Sequence, residues 1–246
     1  MRNNKSHEEE LDNEEEFLEE GFNPNEKNQK GINGFIQKNG KTIIVVSLAV
    51  IVLVGLMLLF RSNSQKNETN AAKALSRIEA YYLDGEYEIA LYSSDTLPLV
   101  RGEKIIGLVA IVNEYGSTSA GQRATLFAAD AYYNINDFSE AKKYYEKAIK
   151  SNIDVVKIGG LAGAAACNER EGKMKEAADG YIKAANLIQD DGLKLRYMYF
   201  GGLCYEKAGN NDLAIKTFRS IINLNKFGEF NNLAKAGIVR LGEDIE

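Results

Sequence analysis

The sequence is 246 residues long and 45% hydrophobic, with 22 glycines and only two prolines, which excludes a low-complexity chain and suits a mainly helical one. The net charge of −5 is unevenly placed: residues 1–41 hold six Lys/Arg and ten Asp/Glu, and the rest, with 24 and 25, is nearly neutral, so no field suited to nucleic acid is expected. The single histidine, His7, and two distant cysteines, Cys167 and Cys204, supply no metal-ligand spacing and no histidine-based nucleophile pair, so no enzyme, cofactor, metal or small-molecule substrate is expected.

Residues 1–41 form an acidic head. Glu8-Glu9-Glu10 and Glu14-Glu15-Glu16 make its start too charged to bury apolar surface, and it is expected to be mostly disordered and cytosolic. Phe17, Leu18 and Phe22 interrupt the acids, either as stray apolar residues or as a short docking motif. Residues 42–60, Thr42 to Phe60, carry no charge, and 19 residues of helix span about 28 Å, close to the hydrocarbon thickness of a bilayer. The run begins too far into the chain for a cleaved signal peptide, and Arg61-Ser62-Asn63 offers no small-x-small cleavage site, so a retained transmembrane helix contacting the lipid bilayer is expected. Lys27, Lys30, Lys38 and Lys41 before it outnumber Arg61, Lys66 and Lys73 after it. With the difficulty of exporting a charged head, this favours a cytoplasmic N-terminus and an exported C-terminal part. Residues 61–69 follow as a linker.

Residues 70–246 carry a repeat. Ala90, Ala141, Ala177 and Ala214 anchor it, the last three 36 and 37 residues apart and the first two 51 apart. Five residues before each stands Gly85, Asn136, Gly172 or Gly209, types that accept the left-handed conformation between two helices. Nine before come Tyr81, Tyr132, Asn168 and Tyr205, and four after come Ser94, Tyr145, Tyr181 and Phe218. The pairs Ala128-Ala129, Ala164-Ala165 and Gly201-Gly202 let helix backbones approach, and the aromatic four residues past the anchor fills the remaining gap. Equivalent places on neighbouring helices lie about 8–10 Å apart, too far for a disulfide, so Cys167 and Cys204 are expected as free thiols.

These offsets resemble the tetratricopeptide repeat across roughly residues 70–225, with a closing helix at about 229–243. The resemblance implies an α-solenoid, a stack of helix pairs; together with the apolar run, an all-α chain with one N-terminal transmembrane helix followed by that solenoid is expected. The first unit departs, with Arg77-Ile78 for the small pair and Ser94 for the aromatic, and is expected to be a divergent cap. Between the first two units, Asp95–Glu103 is expected as a loop and Ile105, Ile106, Val109 and Val112 as the apolar face of an extra helix ending at Gly116. Ser117 or Thr118 is the expected N-cap of the next helix, and Asp190-Asp191 a turn and cap.

In this repeat, one face of each first helix lines a concave groove. The residues carried onto it are Arg123, Leu126, Asp130, Tyr133 and Asn134, then Gly159, Ala162, Ala166, Glu169 and Arg170, then Arg196, Tyr199, Leu203, Glu206 and Lys207. Arg123, Asp130, Tyr133, Asn134, Glu169, Arg170, Arg196, Tyr199 and Glu206 are the candidate partner contacts. Leu126 and Asp130 stand where repeats that clamp a peptide carboxylate use Lys and Asn, and an acid there would repel a carboxylate. Tyr144-Tyr145 and Tyr197–Phe200 are assigned to core and groove. The layout of acidic head, anchor and exported repeats is similar to the bacterial membrane-anchored tetratricopeptide proteins ancillary to the Sec translocon (YfgM-like). That likeness implies an inner-membrane scaffold with its repeats in the periplasm, meeting the Sec translocon and envelope chaperones. The alternative is an assembly subunit of another membrane complex, gripping a partner subunit with its repeats.

Overall fold

The computed structural model describes residues 24–224 and 227–245, and its regular structure is entirely helical among them. The chain divides into two compact units, one ending at Ser62 and the other running from Asn63 to Glu246. The first 23 residues, with the Phe17, Leu18 and Phe22 motif, lie outside the described residues.

Helix α1 runs from Pro24 to Leu83. Proline is tolerated at its first position, where the missing N–H would have no partner anyway. Residues 24–41 of the head are therefore helical, and so is the stretch 61–69 expected as a linker, which contains neither proline nor glycine to stop the helix. The large apolar side chains between Ile44 and Phe60 are exposed, Phe60 by 78%. From Asn39 onward this helix is long and apolar enough to cross a membrane, its most apolar window reaching a mean hydropathy of 3.3.

The second unit begins with the Asn63–Leu83 part of α1 and continues with α2 (Tyr87–Tyr92), α3 (Leu108–Tyr115), α4 (Ser119–Asn134), α5 (Phe138–Ala148), α6 (Asp154–Arg170), α7 (Met174–Leu187), α8 (Asp191–Lys207), α9 (Asn211–Leu224) and α10 (Glu229–Arg240). From α3 to α10 each helix packs on the next, and α4 on α6 and α8 on α10 pack as second neighbours. This is a solenoid of helix pairs, with α1/α2, α4/α5, α6/α7 and α8/α9 as the units and α10 as the closing helix.

The repeat offsets have direct structural counterparts. Gly85, Asn136, Gly172 and Gly209 all have positive φ, between 64° and 80°, and each reverses the chain between the two helices of a pair. The four anchor alanines are completely buried. Two of the aromatics after them press onto glycine of neighbouring helices: a methyl group at Gly163 would lie 2.0 Å from the Tyr145 ring. Phe218 is held on both sides, since methyls at Gly202 and Gly237 would lie 2.5 and 2.6 Å from its ring. The tyrosine place joins each unit to the second helix of the one before. Tyr132 meets the Tyr92 hydroxyl at 3.0 Å, and Tyr205 donates to Asp179 at 2.6 Å. Asn168, in the same place, accepts from Lys142 at 2.9 Å, so the amide keeps the link that tyrosine makes elsewhere.

The first pair is truncated. Its second helix has only six residues and ends at Ser93, whose φ is +64°. Ile78 takes the buried place of the small pair, while Arg77 reaches Glu103 at 2.6 Å. The extra helix starts later than its sequence pattern suggests. Ile105 and Ile106 precede α3, and the buried residues are Ile105, Leu108 and Ile111, with Val109 and Val112 only half-buried. Gly107 explains the delay: it passes so close to the end of α2 that a Cβ would lie 2.3 Å from the Leu91 carbonyl oxygen, and the chain stays extended there before turning helical. Thr118 caps α4 by accepting from Gly121 N–H at 3.0 Å. Glu68 of α1 accepts from the N–H groups of Ser119 and Ala120 at 2.8 and 3.2 Å, satisfying two more donors of that helix start. Asp190 caps α8 through Leu193 N–H at 2.8 Å.

Cys167 and Cys204 are buried free thiols. Burial pushes Cys167 up to about 11 and Cys204 up to about 12, so both are protonated and inert at neutral pH.

Two outcomes follow for this packing. Gly202→Ala is expected to cost about 1–3 kcal/mol in thermal or denaturant unfolding, because Phe218 cannot retreat from the new methyl without striking α10. Non-reducing mass spectrometry is expected to show no Cys167–Cys204 bond, even after air oxidation of the folded chain.

Candidate partner groove

The stripe residues lie along one face of successive first helices, and several of them bond to the neighbouring first helix or to the closing helix. Between α1 and α4, Arg123 comes within 3.7 Å of Glu79 and stacks 6.0 Å over the Phe127 ring. On the same junction Tyr82 donates to Asp130 at 3.4 Å and stacks on Phe127 at 4.7 Å. Between α4 and α6, Arg170 donates to the Tyr133 hydroxyl at 3.5 Å and covers Phe138, whose ring meets Tyr133 edge-on. Between α6 and α8, Lys207 donates to Glu169 at 2.7 Å. Between α8 and α10, Arg240 makes a two-pronged pair with Glu206 at 2.5 and 2.6 Å. Asn134 turns back onto its own helix, donating to the Asp130 carbonyl at 2.8 Å. Tyr199 packs on Phe218 and Phe230, because α10 closes the stack against that side of α8. Arg196 is exposed and enters no ion pair among the described residues.

The candidate partner contacts omit side chains that come from second helices or from the far side of the groove, although the sequence assigns Tyr145 and Tyr197–Phe200 to core and groove. Tyr145 and Tyr181 fill the core with their rings, but their hydroxyls emerge at the stripe: Tyr145 donates to Asp130 at 2.6 Å and Tyr181 reaches Glu169 at 3.5 Å. Tyr181 also faces Tyr197 and Phe200 of α8, with ring centres 6.2 and 5.6 Å away. Apart from Glu169 and Arg170, the α6 stripe consists of the small residues Gly159, Ala162 and Ala166, with Leu126 of α4 lying across Gly159. Burial pushes the Tyr197 phenol up, its neighbour Arg196 opposes that, and the Asp130 carboxylate adds a smaller upward push.

Among the described residues, the acids of the groove are neutralised by neighbouring cations, with the exception of Asp130. Glu206 is held below the usual carboxylate range by the Arg240 guanidinium. Asp130 is shifted the other way: burial raises its pKa, against the opposing bonds from Tyr145 and Tyr82, and no lysine or arginine among the described residues pairs with it.

Residues 123–152 and 201–225 each match a family model of the tetratricopeptide repeat. The matched stretches contain Ala141 and Ala214, two of the anchor alanines, and support a tetratricopeptide-repeat protein. No curated protein sequence matches the chain. Tetratricopeptide repeats act as protein-binding scaffolds, and a face of this kind, polar, aromatic and shared among helices, offers surface for another polypeptide.

The raised pKa of Asp130 has a definite sign. With a folded value above the unfolded one, its ionised form costs stability; the cost is complete above the folded pKa and disappears as pH falls through it towards the unfolded value, about 4. Asp130→Asn, uncharged and of the same shape, is expected to raise the Tm at neutral pH, with the advantage over the parent chain narrowing on acidification. Melting curves across a pH series check this.

Proposed function

We propose that this protein is a non-enzymatic scaffold anchored in the bacterial inner membrane by residues 42–60, holding its repeat domain outside the cytoplasm to dock other proteins. The observation that carries the reading is the joint occurrence of a 19-residue uncharged run and a solenoid whose first helices present a continuous polar and aromatic face. The repeat matches support protein partners, and the lysines ahead of the anchor favour a cytoplasmic head. Within this reading the partners are the protein-export channel or envelope chaperones, following the likeness of layout to the Sec-ancillary proteins.

Protease added to spheroplasts is expected to digest the chain beyond about residue 65 and to leave the head protected. A photo-crosslinker at exposed Arg196 in intact membranes is expected to capture a protein of the export or chaperone machinery. Digestion of the head alone reverses the orientation, and capture of a subunit of an unrelated complex makes the protein an assembly subunit instead.

A further inference from the structure

Among the described residues, the groove contains one acid that the fold does not pair with a cation. Along the ladder of first helices, Glu79, Glu169 and Glu206 each face an arginine or lysine. Asp130 faces only phenols: Tyr145 from α5 at 2.6 Å and Tyr82 from α1 at 3.4 Å. A carboxylate has about four acceptor positions, and these two bonds leave capacity on both oxygens. Around it stand Phe127, Tyr133 and, from the opposite wall, Tyr197, all half-buried. Between the walls lie the small residues Gly159, Ala162 and Ala166 of α6, with Ala162 buried and Ala166 half-buried. Leu126 lies down across Gly159, where a Cβ would come within 2.7 Å of its methyl.

Aromatic faces around an uncompensated carboxylate attract a cation, through the ring quadrupoles and through a charge-assisted hydrogen bond. We propose that the recess between α4 and α8 over α6 receives an arginine or lysine side chain from an extended segment of the partner protein, its cation meeting Asp130 among Tyr82, Tyr133 and Tyr197. The cation supplies the ion pair that the other acids of the stripe already have. This rests on the reading of the stripe face as the docking surface and specifies what it selects. An acidic segment is the rival occupant. The exposed cations Arg170 and Arg196 favour it, but Arg170 is engaged with Tyr133 and Phe138, and an acid entering the recess would face Asp130 directly.

The test uses the full chain in lipid nanodiscs and three labelled dodecapeptides of serine and alanine that differ only in a central Arg, Gln or Glu. Fluorescence polarisation is expected to show the Arg form binding about tenfold tighter than the Gln form, with the preference shrinking as salt rises. Asp130→Asn should erase the preference while keeping the helical spectrum. Tyr197→Leu, which leaves both phenol bonds to Asp130 in place, should weaken the Arg form alone and decides the matter if Asp130→Asn misfolds. The proposal is overturned if the Gln or Glu form binds as tightly as the Arg form, if the preference survives in Asp130→Asn, or if the folded chain binds no Arg form at all. Crosslinking from Arg196 separates the two levels: capture of a partner together with no Arg preference removes this inference and leaves the scaffold, whereas no capture removes the scaffold itself.

Discussion

Everything in the repeat domain depends on how closely the two helices of a unit, and then adjacent units, can approach. That distance is set by glycine and alanine meeting an aromatic ring. Tyr145 lies against Gly163, and Phe218 lies between Gly202 and Gly237, in spaces that a single methyl would close. The anchor alanines are completely buried at the same junctions. A close-packed interior of this type tolerates neither a void nor an added group, so the rotation from one unit to the next is fixed along the stack. Only because that rotation is fixed do the first helices bring their stripes onto one face.

The same aromatics connect packing to chemistry. Tyr145 and Tyr181 contribute their rings to the core and their hydroxyls to the acids of the groove. Asp130 and Glu169 are thus held from behind by the second helices and from the side by the neighbouring first helices. Exposed ion pairs such as Lys207–Glu169 contribute only about 0–1 kcal/mol each, so the ladder orients side chains more than it stabilises the stack. Stability resides in the alanine, glycine and aromatic contacts. The polar ladder determines which charges remain available to a partner, and Asp130 is the acid left without a cation.

The first unit shows what happens where the pattern lapses. With Ile78 and Arg77 in place of the small pair and Ser94 in place of the aromatic, the second helix stops after six residues. The chain then makes a tight reversal at Val100–Glu103, with Arg101 and Gly102 both at positive φ, before α3 returns to cover the end of α4. Glu68 stitches α1 to the start of α4 through two backbone N–H groups. The end of the stack is closed by an added helix and a carboxylate cap instead of a further repeat, as the terminal unit of a quasi-one-dimensional fold requires.

Those features that depend on short-range spacing were legible in the residues alone. The anchor alanines, the left-handed turns at Gly85, Asn136, Gly172 and Gly209, the Thr118 and Asp190 caps and the apolar run of α1 each express a local rule about backbone conformation or transfer from water. What sequence spacing could not supply was the partner of each stripe residue. Asp130 and Tyr82 are 48 residues apart and Lys207 and Glu169 are 38 apart, and they meet because the stack rotates by a set amount per unit. Gly107 delayed α3 for a similar reason, since its close approach to Leu91 belongs to the folded loop and not to any periodicity. By itself the sequence determined the helices, their turns and the repeat, because those are written in local spacing. Tertiary structure alone decided which acids of the groove are neutralised and which one is not, because charge pairing across helices depends on distances that only the packed stack sets.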